Sequence, residues 1–173
     1  VAAGALLPTR SIYIHFPWCR HRCAYCDFAT TAATVIPRQR YLAAVREDLN
    51  RRADLLAPVE TIFFGGGTPS LWGAAAIGNL LEHIAATVGI AQDAEITLEA
   101  NPGASGPAVL RELAGAGINR LSIGVQALDD ARLRRLDRIH DASHARQAVA
   151  EVGRLLATGA LRSASADLLL GGP

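Results

Sequence analysis

Three cysteines stand close together near the start of the chain and are the only cysteines among its 173 residues. Cys19, Cys23 and Cys26 form a Cys-x-x-x-Cys-x-x-Cys pattern that follows an apolar run at residues 11–16. Three thiolates on one short loop can ligate three irons of a [4Fe-4S] cluster, and without a fourth cysteine the last iron stays open to a small molecule. The spacing therefore predicts a cluster that takes part in chemistry.

Two other interpretations of the cysteine loop remain open. A zinc ion could bind the three thiolates together with His15, His21 or His140, although structural zinc usually takes its ligands from two separated pairs. The three thiols could also have no shared role. Arg20, His21 and Arg22 lie among the cysteines, where they either offset the charge of a cluster or simply face solvent.

A glycine loop at residues 64–69, with the sequence Phe-Gly-Gly-Gly-Thr-Pro, is the second candidate segment. Consecutive glycines let the backbone approach a ligand where a Cβ would clash. The spacing matches neither a Walker loop nor a dinucleotide fingerprint, so nucleotide phosphate is not the indicated ligand. Alone, such a loop is often only a tight turn, but beside the cysteine loop it favours a binding role.

Polar side chains at the ends of further apolar runs complete the candidate set. Glu99 and Gln126 each end a run, and Asp167 interrupts the apolar residues 164–170. A buried carboxylate or amide needs partners, which a ligand with an ammonium, a carboxylate and ribose hydroxyls would supply. The alternatives are turn or helix caps and, for Asp167, an ion pair with an arginine.

Strand-like runs alternate along the chain with segments of helical spacing. We predict strands at residues 11–16, 60–64, 95–100, 120–125 and 164–170, with a short helix beginning near Asp129. Other helices are predicted from the apolar residues Tyr41, Val45 and Leu49; Leu80, Leu81, Ile84 and Val88; Val109, Leu110 and Leu113; and Val149, Val152 and Leu156. Such alternation implies right-handed crossovers and a parallel sheet.

Turn and cap residues refine this fold prediction. Gly89 and Gly117 are placed to end helices, and Asp141 or Ser143 is placed to begin one. Five strands are fewer than a complete eight-stranded barrel needs, so we expect an α/β fold that forms a partial, open TIM-like barrel. Residues 1–10 would form an N-terminal lead and residues 11–173 an incomplete core domain. Because active sites of such barrels lie where the strands end, the position of the cysteine loop agrees with its chemistry.

Composition and charge exclude several functional classes. Arginine supplies all 17 basic residues, and the net charge of +1 is spread without a basic stripe, so nucleic acid and anionic membranes are not indicated as partners. No apolar stretch reaches the roughly 20 residues of a membrane span, and no signal peptide is recognisable. We expect a cytoplasmic protein, where clustered cysteines serve metals more often than disulfides.

Four sequence blocks together resemble a known family. They are Tyr-Ile-His-Phe-Pro-Trp-Cys at residues 13–19, Phe-Phe-Gly-Gly-Gly-Thr-Pro-Ser at 63–70, Glu-Ile-Thr-Leu-Glu-Ala-Asn-Pro-Gly at 95–103 and Asn-Arg-Leu-Ser-Ile-Gly-Val-Gln at 119–126. In order and spacing the chain resembles the radical S-adenosylmethionine (SAM) superfamily. Within it, the chain is similar to the N-terminal part of the group that unites HemW heme chaperones with oxygen-independent coproporphyrinogen III oxidases.

The resemblance implies cofactors and site residues. It implies that Cys19, Cys23 and Cys26 ligate a [4Fe-4S] cluster whose open iron binds SAM. Reductive cleavage of SAM would then give a 5′-deoxyadenosyl radical that abstracts hydrogen from a substrate. The positions that match SAM contacts of the family are Tyr13, Tyr25, Gly66, Gly67, Thr68, Glu99, Gln126, Arg138 and Asp167.

Within this group the sequence is more similar to the chaperones. The oxidases carry a further cysteine where this chain has Phe28, and the short lead also resembles the chaperones. The resemblance implies heme or a porphyrinogen as partner, an electron donor such as flavodoxin or ferredoxin, and membrane contact only through a heme acceptor. The alternatives are the oxidase itself and a zinc-stabilised structural module.

Two departures from the family are visible. Asp137 and Gly172 stand where relatives usually have glycine and leucine. The family's remaining barrel strand and its C-terminal domain, with the heme-binding motif, would lie outside this sequence.

Overall fold

The structure, a computed structural model, describes residues 8–171. In chain order its elements are β1 (Thr9–Phe16), β2 (Trp18–Cys19), β3 (Thr31–Ala32), α1 (Arg38–Arg52), β4 (Leu56–Gly66), α2 (Ala74–Thr87), β5 (Ile90–Ala100), α3 (Pro107–Gly115), β6 (Arg120–Gln126), α4 (Asp130–Arg135), α5 (Ala142–Ala157) and β7 (Ser163–Leu168). Five strands form a parallel sheet in the order β1-β4-β5-β6-β7, and β2 pairs with β3. Within the described residues β1 and β7 are the two edges, which confirms the α/β class and the open, unclosed sheet.

The strands alternate between a face covered by helices and a polar face. On β5, Ile96 and Leu98 are buried in the apolar core, to which the helices contribute residues such as Leu80 and Leu113. Their neighbours Thr97 and Glu99 point to the other face, as the two-residue period of a strand requires. One face is therefore packed, and the other is left for polar groups.

Hydrogen bonds between strands run across that polar face. Thr61 donates to Ser11 over 2.8 Å, and Ser165 donates to Ser122 over 3.1 Å. These hydroxyl pairs join β1 to β4 and β6 to β7. They satisfy polar groups that would otherwise need water.

Helix ends follow the expected cap chemistry. Gly89 and Gly117 have φ angles of 82° and 107°, a left-handed conformation that glycine adopts without steric cost. Asp141, rather than Ser143, caps α5 by accepting a hydrogen bond from the His144 amide. Asp129 caps α4 in the same way.

The buried side of α5 and several strand bounds differ from the prediction. Val149 and Leu156 were expected on the buried side of α5 but are 44 % and 38 % exposed. The buried side is made instead by Ala145, Ala148, Val152 and Leu155, because small alanines let this helix lie close to the sheet. The last strand also ends at Leu168 rather than at residue 170, and β1 already begins at Thr9.

Candidate functional site

A cavity of about 320 Å³ lies where the strands of the sheet end. Its walls come from the segments that follow β1 and β4 and from the last residues of β5, β6 and β7. The predicted site residues that line it are Cys19, Cys23, Cys26, Tyr25, Gly66, Gly67, Thr68, Glu99, Gln126, Arg138 and Asp167. Residues from most of the sequence are thus brought to one place.

Tyr13 is the one predicted position that does not line this cavity. Its ring stacks on Phe63 of β4 at a centroid distance of 6.0 Å, and its hydroxyl is 3.0 Å from Nδ1 of His15. That contact shows that Tyr13 and His15 share one side of β1. Burial raises the pKa of Tyr13, and the Glu99 carboxylate raises it further, so Tyr13 lies near a residue of the cavity.

Backbone pairing holds the start of the cysteine loop. Cys19 belongs to β2 and pairs with Ala32 of β3, and its carbonyl accepts a hydrogen bond of 2.9 Å from the Ala33 amide. Further along, the Cys26 amide donates to the Cys23 carbonyl over 3.1 Å, which closes a tight turn between the last two cysteines. Backbone hydrogen bonds therefore hold the cysteine loop in a defined conformation without a metal.

An aromatic cluster packs behind this loop. Trp18 makes edge contacts with Phe16 and Tyr41, at centroid distances of 5.2 and 4.9 Å, and Trp72 lies 5.4 Å from Phe16. Edge-to-face packing of this kind stabilises by about 0.5–1.5 kcal/mol for a pair beyond its burial. The residue before Cys19 is thereby fixed to the rigid part of the fold.

The three thiols are free and share one electrostatic environment. Burial raises the pKa of Cys19, and the negative charge of a Cys26 or Cys23 thiolate would raise it further, while the nearby Thr68 hydroxyl lowers it. A coordinated thiol is deprotonated by its metal, which reverses this balance. Three thiols that would repel one another as thiolates are suited to a shared cationic group.

The structure offers no preformed partner for the zinc interpretation. Within residues 8–171, no three His, Cys, Asp or Glu side chains surround a single point at metal-ligand distance. His15 bonds to Tyr13 and to the Ala29 carbonyl, His21 to Asp137, and His140 to the Val125 carbonyl. Only His15 has both ring nitrogens in hydrogen bonds, and Nδ1 of His140 has no partner among the described residues. A hydrogen-bonded imidazole can still bind zinc through its other nitrogen, so the zinc interpretation stays an alternative.

The glycine loop passes directly against the cysteine loop. The Gly67 amide donates to the Phe16 carbonyl over 2.7 Å, and the Thr68 amide donates to the Trp18 carbonyl over 2.9 Å. A Cβ on Gly67 would lie 2.6 Å from the Trp18 oxygen and 2.9 Å from Sγ of Cys19. Gly67 is therefore required by the contact between the two loops, while the binding role expected of this loop from sequence stays a prediction.

Glu99 ends β5 beside the glycine loop. Its carboxylate accepts a hydrogen bond of 3.1 Å from the Gly66 amide. Burial raises the pKa of Glu99, and the Asp167 carboxylate raises it further, whereas the Gly66 hydrogen bond and His15 lower it. Two carboxylates in one cavity are a suitable environment for a cationic group of a ligand.

Arg138 crosses the opposite side of the cavity. Its guanidinium donates to the Gly124 carbonyl over 3.0 Å and to the Tyr25 hydroxyl over 3.2 Å, and it lies 3.6 Å from Sγ of Cys23. Its buried Nε has no partner among the described residues. Because Arg138 contacts Cys23 and also lines the cavity, its positive charge can interact with a negatively charged group at the cysteines or in the cavity.

Asp167 is exposed, so the burial expected from its apolar neighbours in the sequence is wrong. The strand ends one residue later, so its side chain faces the cavity mouth and accepts a hydrogen bond of 3.2 Å from Ser122. The alternative ion pair with an arginine does not form within the described part of the chain. Gln126 has a φ of 64°, a conformation that costs energy outside glycine and is often found at functional sites.

Sequence reasoning missed several residues of the lining. Ser122 supplies a hydroxyl to Asp167, and Phe28 and Leu169 add apolar surface near the mouth. Ser122 could have been found from strand alternation, because it shares a face with Gln126 four residues later. His140, proposed for zinc, is buried behind the cavity, and burial lowers its pKa.

No helix among residues 8–171 is both long enough and apolar enough to span a membrane.

Comparison with known proteins gives this site a family context. The chain is 41 % identical to the heme chaperone HemW of Haemophilus influenzae and 42 % identical to that of Escherichia coli, in both cases over 96 % of this chain and 44 % of the relative. It is 43 % identical to a mitochondrial protein of Mus musculus named radical S-adenosyl methionine domain-containing protein 1, over 94 % of this chain and 36 % of that protein. The chain thus spans less than half the length of these relatives.

A solved structure and a family model agree with these relatives. The coproporphyrinogen III oxidase HemN from Escherichia coli, described as a radical SAM enzyme, superposes with a TM-score of 0.83 at 30 % identity, over 94 % of this chain and 37 % of that one. The model of the radical SAM superfamily matches residues 13–171, which include all three cysteines and every segment that forms the cavity. The chain therefore belongs to the radical SAM superfamily.

Proposed function

We propose that this chain binds a [4Fe-4S] cluster through Cys19, Cys23 and Cys26 and binds SAM in the adjoining cavity. The observation that carries the proposal is that three free thiols and eight of the nine positions expected to contact SAM line one cavity. The donor set fits the cluster, because three sulfurs leave one iron available to a ligand. In the family the loaded site supplies the electron that cleaves SAM.

The remaining side chains divide by charge in a way that suits SAM. Glu99 and Asp167 provide negative charge for the cationic groups, and Asp167 with Gln126 can accept from or donate to ribose hydroxyls. Arg138, with a buried nitrogen that lacks a partner, provides positive charge for the carboxylate or for the cluster. The role of the protein residues is to bind, to orient and to restrict water.

For the whole protein we propose a heme chaperone of the HemW type. The support is the identity of 41–42 % to two proteins of that name and the presence of Phe28 where the resembling oxidases have another cysteine. Phe28 is 63 % exposed and lines the cavity mouth, where a thiol would stand in the oxidases. The residues here would form the core domain, with heme as cargo and an electron donor such as flavodoxin or ferredoxin as partner.

Iron and sulfide analysis after anaerobic reconstitution tests the cluster proposal. We expect about four irons and four sulfides per chain, with brown colour, and loss of most of this content in Cys23→Ala. Ala24→Ser, on the same loop but without a ligand sulfur, is the matched control and should reconstitute as the unchanged chain does. One zinc per chain with no iron would overturn the proposal.

A second assay separates the chaperone from the oxidase. The full-length protein is incubated anaerobically with SAM, a reductant and coproporphyrinogen III, and in parallel is titrated with heme. We expect heme binding without decarboxylated product. Formation of that product would assign the protein to the oxidases instead.

A further inference from the structure

A side-chain contact outside the expected SAM positions joins two distant parts of the chain. His21 lies in the cysteine loop between Cys19 and Cys23, and Asp137 lies in the turn between α4 and α5. Nε2 of His21 is 2.7 Å from Oδ2 of Asp137. The contact therefore ties the first half of the cysteine loop to the helical layer.

Asp137 occupies a backbone position that is better suited to glycine. Its φ is 54°, and it follows the last turn of α4 with hydrogen bonds from the Asp137 amide to the Arg134 carbonyl and from the Arg138 amide to the Leu133 carbonyl. This pattern is a Schellman motif, in which the left-handed residue is usually glycine. Aspartate has a higher backbone energy than glycine in this left-handed conformation. The contact between the Asp137 side chain and His21 opposes that energy cost.

The next residue holds the other half of the loop. Arg138 contacts the Tyr25 hydroxyl and Sγ of Cys23, while Asp137 contacts His21 on the other side of Cys23. Asp137 and Arg138, which are consecutive residues of one turn, thus contact the cysteine loop on both sides of Cys23. The contact with His21 depends on the side chain of Asp137.

We infer that Asp137 is a positioning residue that, through His21, holds the cysteine loop in the folded conformation described above. The inference rests on the proposed function, since it gives the loop a cluster to receive. A loop that is already ordered loses less conformational entropy when its three thiols are gathered around a metal group. The contact is partly exposed, so its effect is that of a surface ion pair and is modest.

The test compares Asp137→Gly, Asp137→Asn, His21→Ala and the double variant Asp137→Gly/His21→Ala. The first readout is the half-life of the reconstituted cluster with a chelator present. The second is hydrogen exchange of the amides of residues 19–26 in the metal-free protein. Asp48→Ala, which removes the exposed Asp48–Arg52 pair on α1, is the matched control.

We expect Asp137→Gly and His21→Ala each to shorten the cluster half-life and to speed amide exchange about two- to fivefold, as the loss of one exposed pair predicts. The double variant should be no worse than either single one, and Asp137→Asn, which keeps an oxygen acceptor, should retain most of the protection. The melting temperature of Asp137→Gly should not fall, because glycine suits this backbone position.

Unchanged amide exchange in Asp137→Gly, or additive effects in the double variant, would overturn the inference. The exchange measurement needs no metal, so it remains decisive even if the unchanged chain takes up no cluster. In that case the proposed function fails on its own, and the tie between His21 and Asp137 is still judged by exchange.

Discussion

Glu99 lies at a site where burial and the nearby Asp167 carboxylate disfavour its charged form. Its carboxylate is partly buried, faces Asp167 and has one backbone donor, the Gly66 amide. The raised pKa means that the folded chain holds this proton more tightly than the unfolded chain does. The stabilising effect of that proton is complete below the ordinary glutamate pKa of about 4.3 and is lost as the pH rises through the raised folded pKa.

Replacing Glu99 should therefore raise the stability of the ligand-free protein and weaken its binding of SAM. We expect Glu99→Gln to be more stable than the unchanged chain at neutral pH without ligand, with a difference that disappears in acid. The same change should weaken SAM binding about tenfold or more, as loss of a charged hydrogen bond predicts. Urea unfolding across this pH range and SAM titration of the reconstituted protein measure the two effects, and equal stability at pH 7 would contradict the first.

At the level of single residues, sequence predicted most of the cavity. Glu99, Gln126 and Asp167 were recognisable because a polar group at the end of an apolar strand needs a partner. The pairing of His21 with Asp137 was not predictable, because 116 positions separate them and only the folded turn brings them together. Tyr13 does not line the cavity, and its assignment as a SAM contact stays a prediction.

Among the elements, the glycine loop is defined by its contact with the cysteine loop. Gly67→Ala would place a methyl group 2.6 Å from the Trp18 oxygen, so one of the two loops must move. We expect a loss of about 1–3 kcal/mol in unfolding free energy and poor cluster incorporation, because overpacking displaces neighbouring backbone. Denaturant unfolding and iron analysis measure these losses.

Gly78→Ala provides the control for that change. Gly78 lies within α2, and an added Cβ would meet its nearest neighbour, Ala116, at an ordinary 3.7 Å. We expect this variant to gain about 0.5–1 kcal/mol from helix propensity and to keep its cluster. A Gly67→Ala protein that behaved like Gly78→Ala would show that the two loops are not coupled.

The periodicity of apolar residues in the sequence does not identify every strand or every buried side of a helix. The strands and helix positions followed from apolar runs, but the buried side of α5 is made largely of Ala145 and Ala148, which carry little hydrophobic signal. The short β2–β3 pair had no signal, because two-residue strands have no period to detect. Both features depend on how closely neighbouring segments pack.

Considered as a whole, the molecule has its helices on one face of the sheet and its polar groups on the other. The cavity is formed by segments at the ends of all five strands of the sheet, so a ligand bound there would contact residues that are far apart in the sequence. A ligand that binds only the folded state stabilises that state by mass action. Binding at this position should therefore be visible in global unfolding.

We expect SAM at about 100 times its Kd to raise the melting temperature of the reconstituted protein by about 5–10 °C, from a stabilisation of about 2.7 kcal/mol in a chain of this size. Cys23→Ala, without its cluster, should show little shift. Differential scanning calorimetry under nitrogen measures both. A comparable shift in the two proteins would place SAM binding away from the cysteines.

The aromatic cluster behind the cysteine loop has a practical consequence. Trp18 and Trp72 are the only tryptophans of the chain, and both pack against Phe16 at the base of this loop. An iron-sulfur chromophore on the neighbouring sulfurs would absorb the light that these indoles emit. If a cluster binds there, the two indoles would act as an intrinsic fluorescent reporter whose dimming follows loading of the cysteine loop without any added label.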